Sequence, residues 1–421
     1  MEIEIARDIS KNKKLISKKL SEKYYINYLS FMFNDLKRDE KEDSYSNKTL
    51  FYQASALLSG FSECCSTSFL DNSLSLIVEN ITNSNEKTKK SGLVAFGSIL
   101  KSPHKERLLS TIVDSIDNFY QIILDEKITF NIKESVFWVL TKISKCFPEI
   151  FENHKEKLDN LFNIIESVLR GHNKKIISNS LEIISILYKN FKPEEGQNSN
   201  LLSSYTKSFL ILLYSFSNNL THKFQFLNLK ENESENDLIY HTFSTLASII
   251  ENSALDTKLI INEFFKSLFD DYKKTLIIFG FDPKNPGMYI NSSIKTIYQN
   301  CYCLCLSSFL VSGLIHVNFQ IGKEISELII YSFKEREEVF EEGIYVISEL
   351  SLALEDQFEV IFKEGFGFYL INSMKSSDLN LKRVSLIAIS DIIRSLKQAF
   401  DPYIDEILPL LMTILIVNFL F

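Results

Sequence analysis

Catalysis requires reactive side chains that can meet, and this sequence separates them. Its six histidines, at positions 104, 154, 172, 222, 241 and 316, never pair at metal-ligand spacing. No GxxxxGK[ST], no GxGxxG after a strand, no HExxH and no GxSxG occurs. The nearest approach to a metal motif is Cys301, Cys303 and Cys305. On a helix the middle thiol of that run points about 200° away from the other two, so three thiolates cannot meet one ion and core packing is the better reading. The expectation is a protein without catalytic residues, metal or cofactor.

What remains is binding chemistry. Trp138 is the only tryptophan in 421 residues. At about 100° per residue, Ile132, Val136, Val139, Leu140, Ile143 and Phe147 form one stripe, while Trp138 lies almost opposite, beside Glu134, Thr141 and Lys145. One repeat later Glu182 stands opposite Ile176, Ser180, Ile183, Ile184 and Leu187. Glu349 and Asp391 lie opposite their own stripes. Each charge alone reads as a solvated surface group. Trp, Glu, Glu and Asp at successive inward positions instead suit long basic side chains, with an indole to stack on guanidinium or lysine stems.

The elements that must position these residues are helices. Only 12 Gly and 7 Pro are present, too few for the turns of a sandwich, barrel or doubly wound sheet of this length. Amphipathic runs are expected at Ile3 to Leu20, Tyr24 to Leu36, Thr49 to Cys65, Phe69 to Ile81, Lys87 to Leu100, Glu106 to Leu124, Ile128 to Phe147, Leu158 to Arg170 and Lys174 to Phe191. They continue at Leu201 to Asn219, Asp237 to Asn252, Leu259 to Ile278, Ile290 to Ile315, Ile321 to Phe333, Val339 to Leu354, Val360 to Met374 and Leu381 to Phe400. Pro402 starts one more. Second helices of the pairs recur every 40 to 60 residues or so, against roughly 40 to 47 for HEAT or armadillo units. The predicted fold is therefore an all-α HEAT-repeat solenoid over residues 1–421, a right-handed superhelix of eight to nine antiparallel helix pairs whose second helices form the concave layer. A charged loop, residues 37–48, carries Asp39, Glu40, Glu42 and Asp43. Residues 407–421 form an apolar tail, shorter than the roughly 20 residues that span a bilayer and expected to be part of a truncated repeat rather than an anchor.

Net charge is −8, and residues 319–421, with 9 Lys+Arg against 17 Asp+Glu, account for all of it. An acidic surface repels phosphate backbones and attracts basic peptides, which disfavours direct nucleic-acid binding. Six scattered cysteines without a disulfide framework fit a reducing compartment, and the opening MEIEIARDISKNKK has neither secretory-signal nor transit-peptide character.

AFGSILKSP (Ala95 to Pro103), KESVFWVLTKISKCFPE (Lys133 to Glu149), IISNS (Ile176 to Ser180) and EEGIYVISELSLAL (Glu341 to Leu354) resemble, in order and separation, the middle of importin-beta, a HEAT-repeat nuclear transport receptor family. The resemblance implies a carrier in cytoplasm, nucleus and nuclear pore. Such a carrier takes up the basic segment of an importin-alpha-type adaptor, or cargo directly, crosses the pore on phenylalanine-glycine nucleoporins, and releases on binding Ran-GTP. It implies that Trp138 is one of the inward tryptophans used against the basic segment and Glu134 the acidic residue one turn before it. Asp39, Glu40, Glu42 and Asp43 would stand for the family's acidic loop, and Asn179 for a buried inner-helix asparagine. Glu182 stands where the family has a second inward tryptophan, and Lys37, Arg38, Lys41 and Lys48 dilute the loop, so adaptor binding is expected to be tuned differently. The likeness covers central repeats only, as in a fragment. A scaffold subunit of a multiprotein complex is the alternative that the helix pattern alone leaves open.

Overall fold

A computed structural model describes residues 36, 45–64, 67–194, 196–226, 233–278, 292–335 and 340–419. The expected helix at 3–20, that at 24–36 except Leu36, and the acids Asp39, Glu40, Glu42 and Asp43 lie outside the described residues. Every regular element among the described residues is helical, and the chain divides into two compact units, residues 1–190 and 191–421.

The first unit comprises α1 (Tyr45–Cys64), α2 (Thr67–Thr82), α3 (Glu86–Ile99), α4 (Lys105–Leu124), α5 (Phe130–Cys146), α6 (Glu149–Asn153), α7 (Lys155–Leu169) and α8 (Lys174–Asn190). Second helices α1, α3, α5 and α8 lie side by side, and α4 and α7 pair as first helices. This is the helix-pair stacking of a HEAT solenoid.

A helix inside such a layer touches a neighbour on each flank as well as its own first helix. That is why α5 buries Ser135, Phe137, Thr141 and Ser144 in addition to its apolar stripe, and α3 buries Ser91 through Ile99 without a break. Removing each large apolar side chain from water stabilises the stack by about 1.5–3 kcal/mol. Several polar groups caught in the seams are paired. Tyr120 donates its hydroxyl to the Lys157 carbonyl at 2.9 Å, Lys157 Nζ reaches Asp117 at 2.7 Å, and the Asn190 amide donates to the Ser144 carbonyl at 2.9 Å. Asn85 caps α3 by accepting from the Thr88 N–H at 3.1 Å, as an N-cap side chain should.

The second unit comprises α9 (Ser203–Phe226), α10 (Glu233–Glu251), α11 (Lys258–Ile278), α12 (Ser292–Ser312), α13 (Phe319–Glu335), α14 (Phe340–Leu354), α15 (Phe358–Ile361), α16 (Gly367–Lys375), α17 (Leu379–Leu396) and α18 (Asp401–Phe419). Here α10, α12, α14 and α17 form the side-by-side layer. Its centre is aromatic: Tyr272 stacks on Tyr302 at 5.3 Å, and its hydroxyl reaches Ser332 at 3.0 Å. The expected helix over 360–374 is instead broken by a wide turn at residues 362–366, where Gly365 takes φ 148°, a conformation other residues rarely adopt. The described part of the tail, residues 407–419, belongs to α18, which carries Pro409 within it. No helix among the described residues is long and apolar enough to cross a membrane.

Glu342, in the first turn of α14, is half-buried close to Tyr240 of α10 and Cys301 of α12. Burial, with Glu341 beside it, pushes its carboxyl up to about 7. Between the ordinary carboxyl range and that value the folded chain binds more protons than the unfolded chain, so this group's contribution to stability falls as pH rises. Glu342→Gln should therefore raise stability at pH 8 by on the order of 2 kcal/mol, allowing for solvent screening, and the gain should shrink as pH approaches 5. Parallel denaturant titrations of both proteins across that range measure it.

Candidate partner-binding face on the second-helix layer

The wheel places Trp138 outside the core stripe, and the structure gives it a seat. Its six-membered ring lies against Gly97 of α3: a β-carbon there would fall 2.8 and 2.9 Å from Trp138 Cε3 and Cη2, and closer still to Cζ3. The glycine in AFGSIL and the tryptophan in ESVFWVL are thus two halves of one contact between adjacent second helices. The indole is half-buried rather than free in solvent, and Lys142, one turn on, holds its ammonium 5.3 Å from the ring centroid.

Glu134 lies one turn before Trp138 on the same face of α5. Its side chain is 31% exposed and pairs with Lys175 of α8 at 3.2 Å. Glu182 of α8 is exposed, whereas Asn179, expected to be buried, is only half so. The structure therefore brings Trp138 and Glu134 together and leaves Glu182 on the neighbouring helix of the same layer. Sequence reasoning missed Gly97, Lys142 and Lys175. Gly97 carried a signal, because glycine inside a helix costs about 1 kcal/mol relative to alanine and marks a close approach. Lys142 carried another in its i,i+4 spacing from Trp138.

In the second unit Glu349 of α14 is half-buried. Burial, then the carboxylates of Asp391 and Glu251, holds its carboxyl above the usual range. Asp391 of α17 departs from the expectation of an open inward charge. Its side chain is 15% exposed, accepts from the Ser348 hydroxyl at 2.8 Å, and lies 3.3 Å from the Arg394 guanidinium. It bridges α14 and α17 as well as contributing charge.

Cys301, Cys303 and Cys305 are all buried, and burial pushes the Cys303 thiol up to about 12. Cys303 lies 3.5 Å from the Tyr272 hydroxyl while Cys305 points at the Phe243 carbonyl, so the thiols serve different seams. No group of three His, Cys, Asp or Glu among the described residues could hold a metal ion.

Comparison with known proteins gives this arrangement a family. Importin subunit beta-1 of Saccharomyces cerevisiae is 20% identical over 392 residues, covering 90% of this chain and 42% of that protein. An importin beta crystal structure obtained in ammonium sulfate superposes with a TM-score of 0.77 at 16% identity, over 91% of this chain and 42% of that one. Yeast importin-beta, Kap95p, gives 0.75 at 19% identity, over 98% and 46%. At these identities the structures speak for the HEAT-solenoid fold, and the chain spans less than half the length of the relatives it matches. The model of the family described as importin subunit beta-1-like, TPR repeats, matches residues 160–420, well over half of the sequence, and the chain belongs to that family.

Proposed function

We propose that this chain acts as a karyopherin-type nuclear transport receptor, or as the central part of one, that binds without catalysis. The second-helix face of the first unit takes a basic segment of an importin-alpha-type adaptor or of a cargo protein. The observation that carries this reading is the half-exposed Trp138 indole fixed on Gly97, with the Glu134 carboxylate one turn away. Carboxylate and ring could then be engaged at once by an arginine and its basic neighbour. Glu182 extends the acidic character onto α8. Glu349 and Asp391 would offer acidic contacts in the second unit, and Asp39, Glu40, Glu42 and Asp43 a third set. Family membership supports the reading. So do the properties of the yeast relative, which forms a Kap95:Nup1 complex and whose binding induces the switch loops of RanGDP to adopt the GTP-bound conformation. We assign this chain the corresponding classes of partner, phenylalanine-glycine nucleoporins and Ran-GTP, and a path between cytoplasm and nucleus through the pore.

The adaptor's basic segment, labelled and followed by fluorescence anisotropy, tests the site. Trp138→Ala combined with Glu134→Lys should weaken binding by about 10- to 100-fold. Raising salt should weaken the unaltered chain as well, because the contacts are charged. Equal affinities for the altered and unaltered chains would sink the assignment.

A second expectation isolates the seat from the charges. Gly97→Val forces the indole off α3, at a cost of about 1–3 kcal/mol in stability from overpacking, and should weaken the same peptide several-fold while helicity is retained. Circular dichroism and the same anisotropy titration, run side by side, check both halves.

A further inference from the structure

The groups a basic ligand would use on α5 are already in use. Lys175 of α8 holds Glu134, and Lys142 lies over the Trp138 ring. Both cations come from the chain itself, from two adjacent second helices, and each occupies the position that a ligand's cation would take. We propose that Lys142 and Lys175 are built-in competitors for this site: they engage the Trp138 ring and the Glu134 carboxylate until a ligand carrying several cations displaces both. The proposal rests on the reading of Glu134 and Trp138 as binding groups, and it adds a threshold to that site.

The geometry makes the competition surmountable. The Lys175 side chain is 70% exposed, so its pair with Glu134 is screened by water and salt and is weak. Lys142 is anchored one turn from Trp138 on the same helix, which keeps it near the ring, but a half-exposed cation–π contact is also weak. A ligand with one lysine only exchanges like for like and gains little. A segment with several arginines gains from two sources: planar guanidinium stacks better on indole and bonds carboxylate in a bidentate fashion, and linked cations displace both lysines together. The two lysines thereby favour dense arginine-rich segments over isolated basic residues. They also repel any incoming cation for as long as they stay near the site.

The sole tryptophan is itself the reporter, since its emission reads the occupancy of this site and no other. An unlabelled arginine-rich helical peptide is titrated into the full chain and Trp138 emission is followed. Lys142→Gln with Lys175→Gln should bind about ten times more tightly than the unaltered chain. Lys127→Gln with Lys155→Gln, exposed lysines that change net charge equally, should stay within about two-fold of it. Lys142→Arg with Lys175→Arg, which keeps both charges, should show no gain. If the two glutamine pairs shift affinity alike, or if the first does not tighten binding, the competitor role is overturned while peptide-dependent Trp138 emission leaves the site itself standing. If saturating peptide leaves the emission unchanged and Trp138→Ala binds as well as the unaltered chain, the site assignment fails and the competitors fail with it.

Discussion

A helix pair of this kind carries apolar surface that its own two members cannot cover, and the rest of the molecule follows from that shortage. A second helix inside the layer is flanked by two others, which is why α3 and α5 bury nearly continuous runs of residues instead of a single stripe. Close flanking in turn demands small residues where backbones approach. Gly97 meets that demand for Trp138, and within one helix pair Gly343 of α14 makes room for Phe333 of α13, whose ring would lie 2.7 Å or less from a β-carbon there. Serines follow the same logic: Ser180, Ser332 and Ser385 return their hydroxyls to backbone carbonyls four residues back, so they pack as small groups without leaving an unpaired donor.

Stacking alone explains each unit but not the charges placed on the second-helix layers of the two units. Acidic groups there fall into two kinds. Asp391 is drawn into the seam between α14 and α17 by Ser348, so part of its role is structural. Glu134 and Glu182 are not needed to hold the stack: one makes a solvent-screened ion pair and the other is exposed. Glu349 lies between these cases, half-buried near two other carboxylates, an arrangement that costs stability wherever it stays ionised. Groups that cost stability or contribute little to it are the ones a partner can use, because engaging them sacrifices no packing.

Much of the fold could be read in the sequence, since helical periodicity and scarce Gly and Pro survive in any solenoid. The expected helix at 87–100 is found at 86–99, and that at 106–124 at 105–124. The expectation failed where local backbone geometry overrides periodicity. Residues 360–374 keep an amphipathic pattern through the Gly365 turn, and the pattern carries no trace of the break. The site was legible in part. A one-stripe wheel finds Trp138 and Glu134 but assumes that a helix has a single buried side, whereas α5 has neighbours on both flanks. The wheel therefore read the indole as free, when half of it is held by Gly97 from 41 residues upstream. The Lys175 contact was invisible for the same reason, because pairing across repeats depends on the lateral register of α5 and α8, which neither helix encodes alone.

That lateral register ties binding to stacking. The indole is positioned by α3, the carboxylate is paired by α8, and α5 carries both, so the face consists of contacts from three helices rather than a patch on one. A small slide or tilt between neighbouring second helices would move the Gly97 seat relative to the ring and Lys175 relative to Glu134. In a fold whose contacts are local, such shifts are the softest motions available. A ligand that grips ring and carboxylate together favours one register, and a change in register elsewhere in the layer alters its grip in return. Binding strength and stack geometry are then two measures of the same equilibrium. The glycine that lets the helices approach is as much a part of the site as the tryptophan it carries.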